Sequence, residues 1–284
     1  MLLAVVLALI AACSNAASNV IQRATNREEK SVRTLSLRLI EDLLHRPLWF
    51  GGIGFVTLSF LLQASALKFG PLALVEPLLV FELPLTLVGA SALLGSRMGR
   101  LEWAAAIIMT VGLAGLIFFL HPHGGSHGTA PAITWIVGLG LSQGAIAVLV
   151  VTGRRSADDL RAALYGAATG IEFGTTAALM KGAVGHLSQG ITALFGAWET
   201  YAMIAAGIFA MFLVQNALQA GKILAAQPGI TLLDPVVAIV WGILGFGELT
   251  TGDDVHLAIA AAGGVLMVAG ALMLSRSPVL EHRR

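Results

Sequence analysis

Charge is scarce in this sequence. Asp, Glu, Lys and Arg make up 12% of its 284 residues, about half the share in an average soluble domain. That scarcity excludes an ordinary solvated surface. Cysteine occurs once, at Cys13, which excludes an intrachain disulfide framework. The chain has no Walker A sequence, zinc-protease motif, nucleophile elbow or nucleic-acid module. The expectation is therefore a protein that is not an enzyme, with no cofactor and no nucleic-acid partner. Any active transport would draw on an ion gradient or on a partner. The net charge of +1 singles out no partner.

Apolar sequence is what the chain does have, at 57% of residues. It falls into nine blocks near the roughly 20 residues needed to cross a bilayer core, at 2–22, 47–68, 71–94, 101–120, 132–152, 160–184, 199–221, 226–247 and 255–275. Only helices and closed barrels satisfy every backbone polar group in lipid, and these runs are too long and continuous for alternating barrel strands. The fold class expected is all-α, a polytopic transmembrane helical bundle of nine spans.

The first block ends in Ile10-Ala11-Ala12-Cys13, which resembles a lipoprotein cleavage site. A signal peptide begins with positive charge, however, and Met1-Leu2-Leu3 has none. The positive charges follow the block from Arg23 onward, which orients its N-terminus outside and, after nine spans, the C-terminus in the cytoplasm. Of the 17 Lys and Arg residues, this topology leaves only Lys68 and Lys181 at outer ends and puts the rest inside. So strong a positive-inside bias points to the cytoplasmic (inner) membrane as the location. Lysines at span ends normally snorkel to the interface, with a gate salt bridge as the other reading of these two.

Between the first two spans, Leu35, Leu37, Leu39, Ile40, Leu43 and Leu44 alternate with Arg38, Glu41, Asp42 and His45. This pattern suits an interfacial helix over about 33–46. The outer loop 121–131 is rich in His, Gly and Pro and reads as a flexible connector between two halves, 1–128 and 129–284. The halves repeat each other. Gly70-Pro71 leads to Glu76-Pro77, and Gln227-Pro228 leads to Asp234-Pro235. The two acid–proline pairs lie 158 residues apart, as do Gly112 and Gly270 in the following helices. Leu62-Gln63-Ala64 and Leu218-Gln219-Ala220 precede the two motifs. The third and eighth spans are an odd number apart and so cross in opposite directions. The repeats, of four and five helices, are thus inverted, as in many transporters whose sites lie near the midplane between halves.

The stretch LQASALKFGPLALVEPLLVFELP from Leu62 to Pro84, with Arg46-Pro47-Leu48-Trp49 before it and LLDPVVAIVWGILGFGE from Leu232 to Glu248 after it, resembles the drug/metabolite transporter superfamily. The likeness is to a nine-span branch found in actinobacteria, with a fainter similarity to NIPA-like magnesium transporters. It implies secondary transport of a metabolite, amino acid, drug or cation. Members usually have two inverted sets of five helices, and the set of four here implies that the family's first helix is the missing one. Small multidrug members carry a critical glutamate in their first helix. The first span here offers only Ser14, Asn15, Ser18, Asn19 and Gln22, which puts their exchange mechanism in doubt.

Ionisable groups inside spans cost roughly 2.5–3.5 kcal/mol on insertion scales, so each is a candidate for function. Four carboxylates qualify: Glu76, Glu82, Glu172 and Asp234. Glu82 lies 11 residues beyond Pro71 and Glu172 lies 12 beyond Leu160, so both fall near mid-bilayer, in opposite halves. They are the leading coupling residues, set to bind a cationic group or exchange protons; neutralisation by a structural partner is the plainer reading. Glu76 and Asp234 stand beside Pro77 and Pro235, and Glu82 between Pro77 and Pro84. A proline frees a carbonyl one turn back, which a carboxylate can join in holding an ion. Alternatively these acids meet Gln63, Gln215, Asn216 or Gln219 in a hydrogen-bond network. Trp49, Trp103, Trp135 and Trp198 mark interfaces, while the deeper Trp241 lines a cavity or fills core. The outer-side His121, His123, His127, His186 and His256, with Asp253 and Asp254, match no metal-site spacing.

The function expected is a secondary transporter working by alternating access, with a proton or cation as coupling partner, in the lipid bilayer, as a monomer or homo-oligomer. The alternatives are a divalent-cation, magnesium-like permease, which would bring the four carboxylates to one polar pocket, and a membrane-embedded lipid-handling protein or enzyme, which would need a lateral opening.

Overall fold

A computed structural model of the chain describes residues 1–27, 47–94, 99–120, 122–124, 130–221, 223–250 and 254–275. The expected interfacial helix over 33–46 lies outside the described residues, as do His121, His127 and Asp253. The elements are α1 (Leu2–Arg27), α2 (Pro47–Phe69), α3 (Leu72–Leu79), α4 (Glu82–Leu94), α5 (Arg100–Leu120), β1 (Pro122–Gly124), α6 (Ala132–Arg154), α7 (Asp158–Gly185), a short 3-10 turn (His186–Gln189), α8 (Ile191–Gly196), α9 (Trp198–Ala220), α10 (Ile223–Val240) with a wide π turn (Trp241–Gly245), β2 (Glu248–Thr250) and α11 (Asp254–Ser275). The protein is all-α apart from these two three-residue strands.

Among the described residues, eight helical runs are long and apolar enough to cross a membrane. They match eight of the nine expected blocks. The block at 160–184 forms α7, which at 28 residues is long enough but carries Asp158, Asp159, Arg161, Glu172 and Lys181. Its lower hydrophobicity has a structural reason. α7 is the most enclosed helix, packed between α6, α9 and α10, and a helix surrounded by protein need not be apolar all round.

Small residues set the packing. Gly166, Gly170 and Gly174 stand one turn apart on α7, and a methyl on any of them would run into the backbone of α10 at Ala226, Gly229 or Asp234. Lipid supplies no hydrophobic drive between helices, so close backbone approach supplies contact energy instead. α5 and α11 pack in the same way across the two halves.

The third span is discontinuous. α3 ends at Leu79 and α4 begins at Glu82. Pro84 has no amide to donate to the carbonyl of Val80, and the amide of Leu83 bonds that carbonyl instead, at 3.1 Å. The chain tightens over Val80–Phe81, with Val80 and Phe81 donating to Pro77 and Leu78. The counterpart α10 holds Pro228 and Pro235 and widens into the π turn.

One end of the bundle gathers Lys68, Gly70, His123, Lys181 and Ser188 around a cavity of about 500 Å³. These residues come from four segments that the charge bias assigns to the outer side. The loop after α5 departs from the expected flexible connector: residues 122–124 pair antiparallel with 248–250, Pro122 opposite Thr250 and His123 opposite Leu249. The partner strand comes from the other half, so sequence local to the loop does not reveal the pairing.

Candidate functional site

The site starts from the break in the third span. Glu76 is buried on α3, and its Oε1 accepts a hydrogen bond from Gln63 Nε2 of α2 at 2.9 Å. Pro77 behind it is fully buried. Glu82 is the first residue of α4, half-buried, with a hydrogen bond to the side chain of Asn15 on α1. From the other half comes Asp234 on α10, within the electrostatic field of both Glu76 and Glu82. Its Oδ1 is buried and has no hydrogen-bond partner among the described residues, and Pro235 beside it is fully buried. Two proline-interrupted helices therefore place carboxyls from both halves within electrostatic reach of one another. α3 and α10 pack directly, which places the two acid–proline pairs near each other. Like charges at such a place repel unless protons or a cation intervene.

Glu172 stands elsewhere. It is 1% exposed on α7, and its Oε2 accepts from Gln143 Nε2 of α6 at 2.6 Å. The second-half acid within electrostatic reach of Glu82 is thus Asp234, while Glu172 is held within the second half. An apolar groove of about 520 Å³ lies between α6 and α10, lined by Thr134, Gly138, Ser142, Ile171, Val237 and Trp241 among others. Trp241 is buried at the groove's end, its ring 5.0 Å from that of Trp135. Trp135, expected at an interface, is only 4% exposed and also meets Trp198 and Phe246. Its place near a span end still suits the rule; helix packing covers it.

Of the polar residues named as network partners, Gln63 joins Glu76. Asn216 donates to the carbonyl of Phe212 in its own helix at 2.7 Å, and Gln215 is exposed on α9. Among the described residues, no group of three or more His, Cys, Asp or Glu is placed to hold a metal ion. His186 Nε2 lies 3.4 Å from a Glu199 carboxylate oxygen, and the ring of His256 is 5.8 Å from that of Phe119.

Lys68 is exposed, its ammonium 5.7 Å from the ring of Phe69, as a snorkelling lysine should be. Lys181 is not: it is 6% exposed and ion-paired to Glu248 Oε1 at 2.9 Å. The snorkelling expectation fails for Lys181 because the loop bearing Glu248 folds back over the end of α7. Sequence reasoning passed over Glu248, which ends a quoted motif. Its signal was the Gly247–Glu248 pair just past a span: Gly247 has φ +65°, a conformation that suits glycine and turns the chain back on itself.

The sequence is 30% identical over 282 residues to an uncharacterized protein of Corynebacterium glutamicum, an alignment covering 98% of this chain and 96% of the relative. The chain belongs to that protein's family. The two proteins correspond essentially end to end, so every span and both acid–proline motifs fall in the shared region or at its edge. No family model matches the sequence, and no solved structure matches it.

Proposed function

We propose that this protein is a secondary transporter of the drug/metabolite type, with nine spans in two inverted repeats, 1–128 and 129–284, in the cytoplasmic membrane. The N-terminus lies outside and the C-terminus in the cytoplasm. α7 is the sixth of the nine spans, the one whose polar residues are sheltered by its neighbours. Transport runs by alternating access and is coupled to protons or a small cation through Glu76, Glu82 and Asp234.

The observation that carries this reading is that two broken, directly packed helices, one from each half, hold acids within electrostatic reach of one another, with Asp234 Oδ1 left without a hydrogen bond among the described residues. Such groups are costly inside a span unless a function keeps them. The inverted repeat has its own support in the α5–α11 contact. A methyl on Gly112 would strike Met267 and Gly263, and one on Gly270 would strike Met109 and Ala105. Each residue of one contact lies 158 positions from its counterpart in the other, the offset of the acid–proline pairs. A self-complementary contact of this kind is what a two-fold relation produces.

The test is charge movement in proteoliposomes on a solid-supported membrane, with a panel of amines, carboxylates, amino acids, drugs and Mg²⁺, native protein against Glu82→Gln. A compound-specific current lost in Glu82→Gln supports coupled transport. A current that survives the substitution unchanged removes Glu82 from the coupling role. Current with Mg²⁺ alone favours the divalent-cation permease, which has less behind it because the acids form no metal-holding group among the described residues.

A second reading, handling of a lipid or lipid-like compound, is favoured by the apolar groove between α6 and α10. A protein silent across the soluble panel that moves fluorescent phospholipid between leaflets would establish it.

A further inference from the structure

The two ends of the bundle are built differently. At the end that gathers Lys68, His123 and Lys181, one apolar core runs across both halves, from Leu67 and Leu72 to Val184 and Phe246. Toward the other end, the clusters of Ile146 with Leu213 and of Ala162 with Ala226 lie within the second half, while Leu87 and Ala105 pack against Met273 across the halves. There Gln227, Thr231 and Asp234, along one side of α10, are only half-buried.

A polar clasp holds the sealed end. Glu248 accepts hydrogen bonds from the first amides of α3, Leu72 at 2.6 Å through Oε1 and Ala73 at 2.9 Å through Oε2. Lys181 neutralises that carboxylate and also donates to the carbonyl of Gly70 at 3.0 Å. Lys181 and Glu248 both belong to the second half, whereas Gly70, Leu72 and Ala73 belong to the first. Three hydrogen bonds thus cross between halves within four residues. Glu248 fits because Gly242 lies beneath it, where a methyl would strike its carboxylate. The pairing of β1 with β2 joins the halves again on the same side.

We infer that Lys181 and Glu248 are gate residues that hold the outer side of the transporter shut. The inference rests on the proposed topology and alternating access. The clasp suits reversible opening. Lys181 and Glu248 can part from α3 as a neutral pair, and the amides they release follow Gly70 and Pro71, which line the outer cavity, so opening lets water replace the lost bonds. Removing either partner alone leaves the closed state with an uncompensated buried charge or unpaired amides, which costs several kcal/mol. Both losses favour opening.

The test is a cysteine reporter beneath the gate: Val75→Cys, a fully buried site on α3, with Cys13→Ser so that no native thiol competes. Intact cells receive a membrane-impermeant maleimide from outside. With the native gate the reporter labels slowly, and Lys181→Met or Glu248→Gln raises the rate at least about tenfold. As a second measurement, His123→Cys with Leu249→Cys, Cα partners across the strands, cross-links readily under mild oxidant, and several-fold more slowly once Lys181→Met is added. Unchanged labelling in both gate variants with the monodisperse elution of the parent, or fast labelling with the native gate, or cross-linking indifferent to Lys181→Met, overturns the gate. Neither assay uses a transported compound, so their failure bears on the gate, while failure of the charge-movement assay bears on transport.

Discussion

Replacing Gly112 with alanine should damage this protein, although the change is a small one in the middle of a helix. In an open helical position, Gly→Ala gains about 1 kcal/mol in backbone entropy. Gly144 on α6 is such a position, with nothing within 4 Å of an added methyl. At Gly112 the methyl would lie 2.6 Å from the carbonyl oxygen of Gly263, where an ordinary carbon contact needs roughly 3.5 Å. α5 and α11 would have to separate by about 0.5–1 Å, and a gap of that size forfeits a quarter to a half of each contact's dispersion energy. Overpacking of this kind costs about 1–3 kcal/mol. Set against the gain at Gly144, the difference is about 2–4 kcal/mol, or roughly 5–10 °C in Tm. Thermal unfolding in detergent micelles, followed by tryptophan fluorescence, measures it. Gly270→Ala should fall by nearly the same amount, because its contacts with Met109 and Ala105 mirror those of Gly112 with Met267 and Gly263. If Gly112→Ala is as stable as Gly144→Ala, the close packing is wrong. If only one of the two glycines is sensitive, the two-fold relation is wrong.

Asp234→Asn should raise Tm by about 1 kcal/mol equivalent, since it removes a buried carboxylate beside two others, while abolishing coupled current; a loss of stability would show that Asp234 is structurally paired. Gln143→Ala leaves Glu172 without its 2.6 Å donor and should cost about 1–3 kcal/mol, whereas Gln143→Asn, too short to reach, should fall between; the same micelle melts rank them. Pro84→Ala restores an amide for the carbonyl of Val80 and should straighten the break before Glu82, leaving Tm level or higher and transport reduced; unchanged transport would mean that the break is dispensable.

Much of the architecture was open to reading in the sequence, because a membrane imposes rules that act on each segment separately. Every span must be long and apolar to satisfy its own backbone, so the block boundaries match the helices closely, and the helix break could be placed between Pro77 and Pro84 from the missing amide alone. The repeated acid–proline pairs likewise named Glu76 and Asp234, and depth in the span named Glu82, before any contact was known. α7 was legible as a block but not as the enclosed helix, since its burial depends on glycine stripes that match a partner far along the chain.

What the sequence by itself determined, then, is the helical class, the segment ends, and which buried acids exist; these follow from local length, hydrophobicity and backbone chemistry. Only the tertiary structure decided which acids meet. It joined Asp234 to Glu76 and Glu82, held Glu172 on Gln143, turned an expected interfacial lysine into a buried clasp with Glu248, and made a strand from an expected flexible loop. All but the Gln143–Glu172 contact, which joins neighbouring helices 29 residues apart, depend on how one half lies against the other or on how a loop folds back. Pairings across some 60 to 180 residues of chain are set by helix packing as a whole, which no local pattern encodes.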